Sequence, residues 1–274
     1  DYSAKRATES VYESMERLNV DYIDLINVHD IEFADLNQVV NETLPALVAL
    51  REKGVVGHVG ITDLQLENLQ WVIDHSPSGT VESVLNFCHH CLNDDKLVDY
   101  LDYFESRGIG VINASPLSMG LLSVRGVPSW HPAPSSLVEA CQKAVQHCES
   151  KNYPIEKLAI QYAVSNPRIA TTLFSSANPK NVTKNISYIE EPIDWQLVHE
   201  VQDIIGDQKR VSWANSYKKA YGFQDYRCTC PSVAQAGHHC RRIAYPHLGW
   251  RTIALHGRSA TDGSTVHGRW SEQC

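Results

Sequence analysis

Two hydrophobic periodicities alternate through the first 190 residues, and nothing else in the sequence restricts the fold so strongly. "AKRATESVYESMERL" sets Ala7, Val11, Met15 and Leu18 on one helical face, with Ser3 placed to cap its start. "YIDLINV" follows, short and rich in β-formers. The helix "LNQVVNETLPALVALREKG" is closed by Gly54. Three strands, "VGHVGI", "VESVLNF" and "GVINAS", are then separated by the helices "LENLQWVIDH" and "DDKLVDYLDYFESRG". Two helices in succession, "SSLVEACQKAVQHCESK" and "IEKLAIQYAVSN", precede the strand "IATTLF" and the helix "PKNVTKNISYI".

Short strands alternating with helices predict an α/β fold with a parallel sheet flanked by helices. The strands are nearly continuous in apolar character, as expected where both faces are covered. A doubly wound sheet and a (β/α)8 barrel both fit this order. The pattern supplies five strand–helix units, against the eight of a barrel, and it opens on a helix. Asp24 interrupts an apolar strand and is expected to be buried, bonded to backbone amides or a basic side chain.

Charge divides the chain of 274 residues unevenly. Residues 217–274 carry +5, and the remainder −13, within a net −8. An acidic body disfavours nucleic acid or an anionic membrane as partner. No apolar run approaches the roughly 20 residues that span a bilayer. Eight Cys at irregular spacings in a chain of this length read as reduced thiols, which predicts a cytoplasmic protein. Residues 1–216 therefore read as one catalytic-type body. Residues 217–274 read as a basic tail rich in Cys, His and Arg, disordered or non-native in frame. Its Cys228, Cys230, His238, His239 and Cys240 do not have the spacing of a structural zinc site, so no metal is assigned.

In parallel α/β folds, chemistry collects at the C-terminal ends of the strands. Here those ends are His29-Asp30, Thr62-Asp63, Asn86, Ala114-Ser115-Pro116-Leu117 and Ser175-Ser176. Polar residues end many strands simply because a loop begins. A titratable His at one end and a Ser-Pro-Leu turn at another point beyond that.

"YIDLINVHD", "GHVGITD", "INASPLSMGLL" and "NPKNVTKNI", in this order, resemble the aldo-keto reductases. "VHDIEF", "NETLPAL", "SVLNFCHHCLND" and "WHPA" are similar to the L-galactose dehydrogenase-like branch of that family. The likeness covers about residues 1–213. It implies a (β/α)8 TIM barrel, incomplete here, starting at the third helix and retaining strands four to eight. It also implies hydride transfer between NAD or NADP and a sugar or other small carbonyl or alcohol.

The resemblance assigns roles residue by residue. His29 is implied as the catalytic His that hydrogen-bonds the substrate oxygen. Thr62 and Asp63 fall where the nicotinamide amide is held, with Asn86 a further amide partner. Ser115, Leu117 and Gly120 fall on the loop that wraps the pyrophosphate. Ser175, Ser176 and Asn178 open the last helix, a natural phosphate site, and Asn185 falls where adenine is contacted. Trp130 and His131 lie in a long loop that either closes over a sugar or anchors by packing. Asp30 and Glu32 either shape the substrate mouth or are solvated.

Some positions depart from the family pattern. Ala114 stands where many members have Tyr, and Ser175 where Gly is usual. No Arg follows to grip a 2′-phosphate, although Lys180 is near, so the cofactor expectation leans to NAD. The family's Asp, Tyr and Lys belong to the first three units. Tyr2 and Lys5 sit too late to replace them. The sequence is therefore expected to be part of a longer enzyme and inactive by itself. The alternative is a catalytically inactive nicotinamide-nucleotide-binding or regulatory protein.

Overall fold

The computed structural model describes residues 1–176 and 178–213, together with the backbone of 251–255. The elements run α1 (Ala4–Leu18), β1 (Ile23–Val28), α2 (Leu36–Gln38), α3 (Leu44–Glu52), β2 (Val56–Asp63), α4 (Leu66–Asp74) and β3 (Ser83–Phe87). They continue with α5 (Leu101–Glu105), β4 (Gly110–Ala114), α6 (Ser135–Ser150), α7 (Ile155–Ala163), β5 (Thr171–Ser176), α8 (Pro179–Tyr188), α9 (Trp195–Ile205) and β6 (Arg251–Leu255).

The strands lie in chain order, β1-β2-β3-β4-β5-β6, and every neighbouring pair from β1 to β5 is parallel. A doubly wound sheet reverses its strand order at a switch point. This sheet does not reverse, and the five parallel strands form a curled half-barrel. β6 pairs antiparallel with β5, matching Phe174 to Ile253. The sequence pattern marks no strand there, because a strand recruited to a sheet edge rests on backbone pairing.

One face of the sheet is packed by helices. Val28, Ile61, Val84 and Val111 share a buried cluster with Leu66 of α4 and Phe104 of α5. Side chains alternate along each strand, so Asn27, Thr62, Leu85 and Phe87 take the opposite, concave face. A second core joins α6, α7 and α9 to the turns that follow β3 and β4, through Leu92, Leu122, Leu137, Leu158 and Val201.

Local chemistry explains where helices begin and bend. Ser3 caps α1 by accepting from the Arg6 N–H. Pro45 has no N–H and would collide with the carbonyl of Asn41 in a regular α-helix. A π-turn over Val39–Thr43 opens the ladder there, so α2 and α3 form one bent rod.

Three expectations need correction. Asp24 is exposed rather than buried: it shares the helix-packed face with Val28 but stands near the start of β1, where burial has not yet set in. Leu18 is 45% exposed: it is the last residue of α1, at the end where the chain leaves the helix through the left-handed Asn19 cap. The helix expected over "DDKLVDYLDYFESRG" begins as a 3-10 turn, Lys96–Tyr100, before α5. The Asp94 carboxylate accepts the Lys96 N–H and fixes that tighter start.

Candidate active site

His29 follows the last residue of β1 directly. Its Nδ1 lies 3.1 Å from Asp30 Oδ2, and both side chains are about two-fifths exposed. The peptide between them is held from two directions. The Tyr2 hydroxyl donates to the carbonyls of His29 at 3.0 Å and Asp30 at 3.1 Å. On the other side, the Asp30 N–H donates to Thr62 Oγ1 at 2.8 Å. Asp30 adopts φ 51°, a left-handed turn, and this lets the chain leave β1 sharply. Thr62 thus joins the ends of β1 and β2. Lys5 stands on the outside of α1, paired with Glu9.

Asp63 points the other way from Thr62. Its carboxylate accepts from the Gln65 N–H at 2.6 Å and from Asn68 Nδ2 at 2.9 Å, fastening the first turn of α4. Glu32, in the turn after β1, brings its carboxyl to the same place, where it hydrogen-bonds Asp63 when protonated. Among the described residues no donor faces Glu32 Oε2, which is buried. Burial, then the charges of Asp63 and Asp30, push the Glu32 carboxyl up to about 9. Burial also raises Asp63. Glu32 is therefore a protonated acid beside a carboxylate, not a solvated charge. No local pattern signals this pairing, because the two residues lie in different strand–helix units.

Asn86 is fully buried, and its Nδ2 donates to Asn113 Oδ1 at 3.1 Å. Asn113 in turn donates to the His90 carbonyl at 3.1 Å. Asn86 therefore belongs to the helix-side layer, two residues on from Val84, and Phe87 is the residue of β3 that takes the concave face at that level.

The loop after β4 is strained and tightly bound to itself. Ser115, Ser118, Met119 and Gly120 all have positive φ. Ser115 N–H donates to Leu173 of β5 at 3.0 Å, and Ser115 Oγ accepts from the Met119 N–H at 3.3 Å. Leu117 packs against the apolar clusters on both sides of this loop. His131 braces it from outside. Its Nδ1 accepts from the Ala133 N–H, so Nε2 carries the hydrogen and donates to Ser118 O at 3.3 Å. Its ring also meets Trp213 edge-on at 4.9 Å. His131 acts as a packing anchor; Trp130 beside it is 48% exposed.

At the end of β5, Ser176 Oγ accepts from the Asn178 N–H at 3.2 Å and from Asn181 Nδ2 at 3.3 Å. Asn178 caps α8 by accepting the Lys180 N–H at 3.0 Å. Ser175 is exposed, and Asn185 lies two turns further along α8, 8% exposed. His29, Thr62, Ser115 and Ser175 thus stand at the ends of β1, β2, β4 and β5 of one sheet. Asn86 and Asp63 turn to its helix side.

Sequence reasoning used the turn "CHHCLND" only as part of a motif and assigned its residues no role. His89, 3% exposed, reaches Asp94 Oδ2 with Nδ1 at 2.8 Å and Leu64 O with Nε2 at 2.7 Å. The Cys91 and Cys88 thiols donate to Ser115 O at 3.4 and 3.9 Å, and Ser118 Oγ donates to Asn93 Oδ1 at 2.7 Å. The available signal was an excess of polar residues directly after an apolar strand. Among the described residues, no cluster of three or more His, Cys, Asp or Glu side chains could hold a metal ion. The Cys228–Cys240 group lies outside the described residues.

Residues 1–205 match the aldo/keto reductase family over its characteristic sequence pattern. The chain belongs to this family. It is 43% identical over 217 residues to L-galactose dehydrogenase of Arabidopsis thaliana, covering 78% of this chain and 68% of that protein. With D-arabinose 1-dehydrogenase of Saccharomyces cerevisiae it shares 31% identity over 172 residues, 60% of this chain and 51% of the relative. The chain thus spans between about half and two thirds of these reductases. The holo form of aldo-keto reductase AKR11C1 from Bacillus halodurans superposes with TM-score 0.59 at 22% identity, over 77% of this chain and 72% of that one. At that identity the match establishes the fold: the half-barrel is that of the aldo/keto reductase barrel. The family uses NAD(P)H, and no helix among the described residues is long and apolar enough to cross a membrane.

Proposed function

We propose that this chain carries the cofactor-binding and substrate-orienting part of an NAD(P)-dependent reductase. It would act on a sugar or small carbonyl or alcohol, with β1–β5 as the fourth to eighth strands of the barrel. The observation that carries the reading is the hydrogen bond from the Asp30 N–H, next to His29, to Thr62 at the neighbouring strand end, in a chain 43% identical to an L-galactose dehydrogenase. A bound nicotinamide supplies or accepts the hydride. This chain's residues orient and bind. Asp30 holds His29 Nδ1 and so sets the imidazole ring beside the substrate oxygen. Thr62 offers a hydroxyl to the nicotinamide amide.

The groups present suit a dinucleotide. Thr62, Ser115 and Ser175 bring hydroxyls to the strand ends, and a positive-φ loop of the kind that turns backbone N–H groups toward an anion follows β4. Ser115, Leu117 and Gly120 would face the pyrophosphate, Ser175, Ser176 and Asn178 the other phosphate, and Asn185 the adenine. Lys180 is the sole basic residue at the start of α8, which favours NAD over NADP.

The test is titration of the protein with NADH and NADPH, followed by turnover with L-galactose and D-arabinose. Cofactor binding without turnover is the expected result for this chain, in which no residue takes the place of the family's Asp, Tyr and Lys, and His29→Ala should leave that affinity within about twofold. Turnover by this chain would overturn the expectation that it is inactive by itself, and binding without hydride transfer in the full-length protein would favour a regulatory nucleotide-binding protein. Failure to bind either nucleotide rejects both.

A further inference from the structure

The turn between β3 and the Lys96–Tyr100 helix bonds to the exit of β2 at Leu64 and to the loop after β4 at Ser115 and Ser118. His89 lies at its centre, almost wholly buried, and both ring nitrogens meet oxygen atoms. Leu64 O can only accept, so Nε2 must carry a hydrogen. Leu64 is the residue immediately after Thr62 and Asp63. The hydrogen bond therefore pins the exit of β2, which is the segment that presents Thr62 to the concave face. Asp94 orients the ring from Nδ1, and Asp94 is itself fixed: its Oδ1 accepts the Lys96 N–H at 2.9 Å, and its backbone pairs with Cys91 in both directions.

We infer that His89 is a positioning residue for the nicotinamide end of the cofactor site, acting through the Leu64 carbonyl to set Thr62. The inference rests on the nicotinamide-nucleotide reading above. It assigns His89 no contact with cofactor or substrate. The ring is enclosed at the turn, and its two hydrogen bonds account for both nitrogens. Apolar packing alone does not require this arrangement. A Leu would fill the same space, whereas only a side chain with a donor at the Nε2 position satisfies the Leu64 carbonyl, and leaving a buried carbonyl unpaired is disfavoured. Among the described residues, the ring nitrogens of His89 bond to Asp94 and Leu64 and to nothing on the α8 side of the sheet, so its effect should be confined to one end of a dinucleotide.

Two substitutions separate the contacts. In H89Q, the longer amide reaches the Nε2 position and can donate to Leu64 O. In H89N, the shorter amide reaches Asp94 and stops short of Leu64 O. Calorimetric titration of the full chain with NADH, NADPH and ADP-ribose reads the outcome, with thermal unfolding followed in parallel. ADP-ribose serves as the probe of the adenine and phosphate end. H89N should weaken NADH and NADPH binding by roughly tenfold, the effect of losing one hydrogen bond and exposing its unpaired partner. ADP-ribose affinity should stay within about twofold. H89Q should recover most of the NADH affinity.

Equal weakening of NADH and ADP-ribose by H89N would show a general structural role and overturn the inference. So would unchanged NADH affinity in H89N. Both results leave the cofactor reading intact. Failure of the unsubstituted chain to bind any of the three ligands would instead remove the cofactor reading, and the positioning role with it.

Discussion

The Tyr2 hydroxyl donates to the His29 carbonyl at 3.0 Å, joining the segment ahead of α1 to the end of β1. The same hydroxyl reaches Asp30 O, so one phenol holds the peptide on which the candidate catalytic imidazole is mounted. Burial, then the charge of Asp30, pushes Tyr2 up to about 12. The phenol is a fixed donor at any physiological pH. Tyr2→Phe should lower stability by about 0.5–1.5 kcal/mol, the usual worth of such a bond. Urea unfolding of both proteins measures this, and a variant as stable as the parent would show the contact to be idle.

The Glu32–Asp63 pair predicts a loss of stability with rising pH. In the folded chain Glu32 keeps its proton up to about 9, whereas unfolded it releases it near the ordinary value of 4.5. Between those limits the folded state binds more protons, so stability falls as pH rises from about 5 to about 9. Glu32→Gln removes that dependence. Allowing for partial solvent access, the variant should gain about 1–2 kcal/mol over the parent between pH 5 and pH 8. Denaturant titrations at the two pH values check it. A parallel pH response in both proteins would contradict a protonated Glu32.

Gly120 is the point where the loop after β4 tolerates least. Its φ is +106°, and an added Cβ would stand 2.9 Å from the Gly126 carbonyl oxygen. Gly120→Ala should destabilise the chain by about 1–3 kcal/mol through backbone strain. Gly54→Ala, at φ +70° with open space around it, separates the conformational part from the collision and should be milder. Thermal unfolding ranks the two.

The described thiols should be inert while the chain is folded. Cys88, Cys91, Cys141 and Cys148 are free and buried. Burial pushes Cys91 and Cys141 up to about 12 and Cys148 up to about 11. Iodoacetamide at pH 8 should leave these four unlabelled until denaturant is added, because the thiolate is the reacting form. Peptide mapping by mass spectrometry reads each site. Rapid native labelling of any of the four would show that the α6 core or the turn after β3 opens readily.

Much of the architecture was legible because each unit announces itself locally. Strand and helix order, the Ser3 cap and the Gly54 stop all depend on residues within a few positions of one another. α9 went unmarked although Asp194 caps it and Leu197, Val198, Val201 and Ile205 fall on one face. A proline-containing, charged approach masked the start of its period. The site was less legible. Strand ends could be named, but not the face each side chain takes, since a shift of one residue reverses it. That is why Thr62 and Asp63, adjacent in sequence, part company, and why Asn86 turns toward Asn113. His89, Asp94 and Leu64 meet only through the fold.

The start of α8 has a bearing on how a phosphate could be recognised. Ser176 and Asn178 already accept the N–H groups nearby, so an arriving anion exchanges partners instead of filling a vacancy. Exchange makes the gain in free energy small and the geometric demand large. Anions of the wrong shape would forfeit the internal bonds without replacing them. Inorganic phosphate would then be a poor competitor, and discrimination at this helix would come from what a ligand must undo before it can stay.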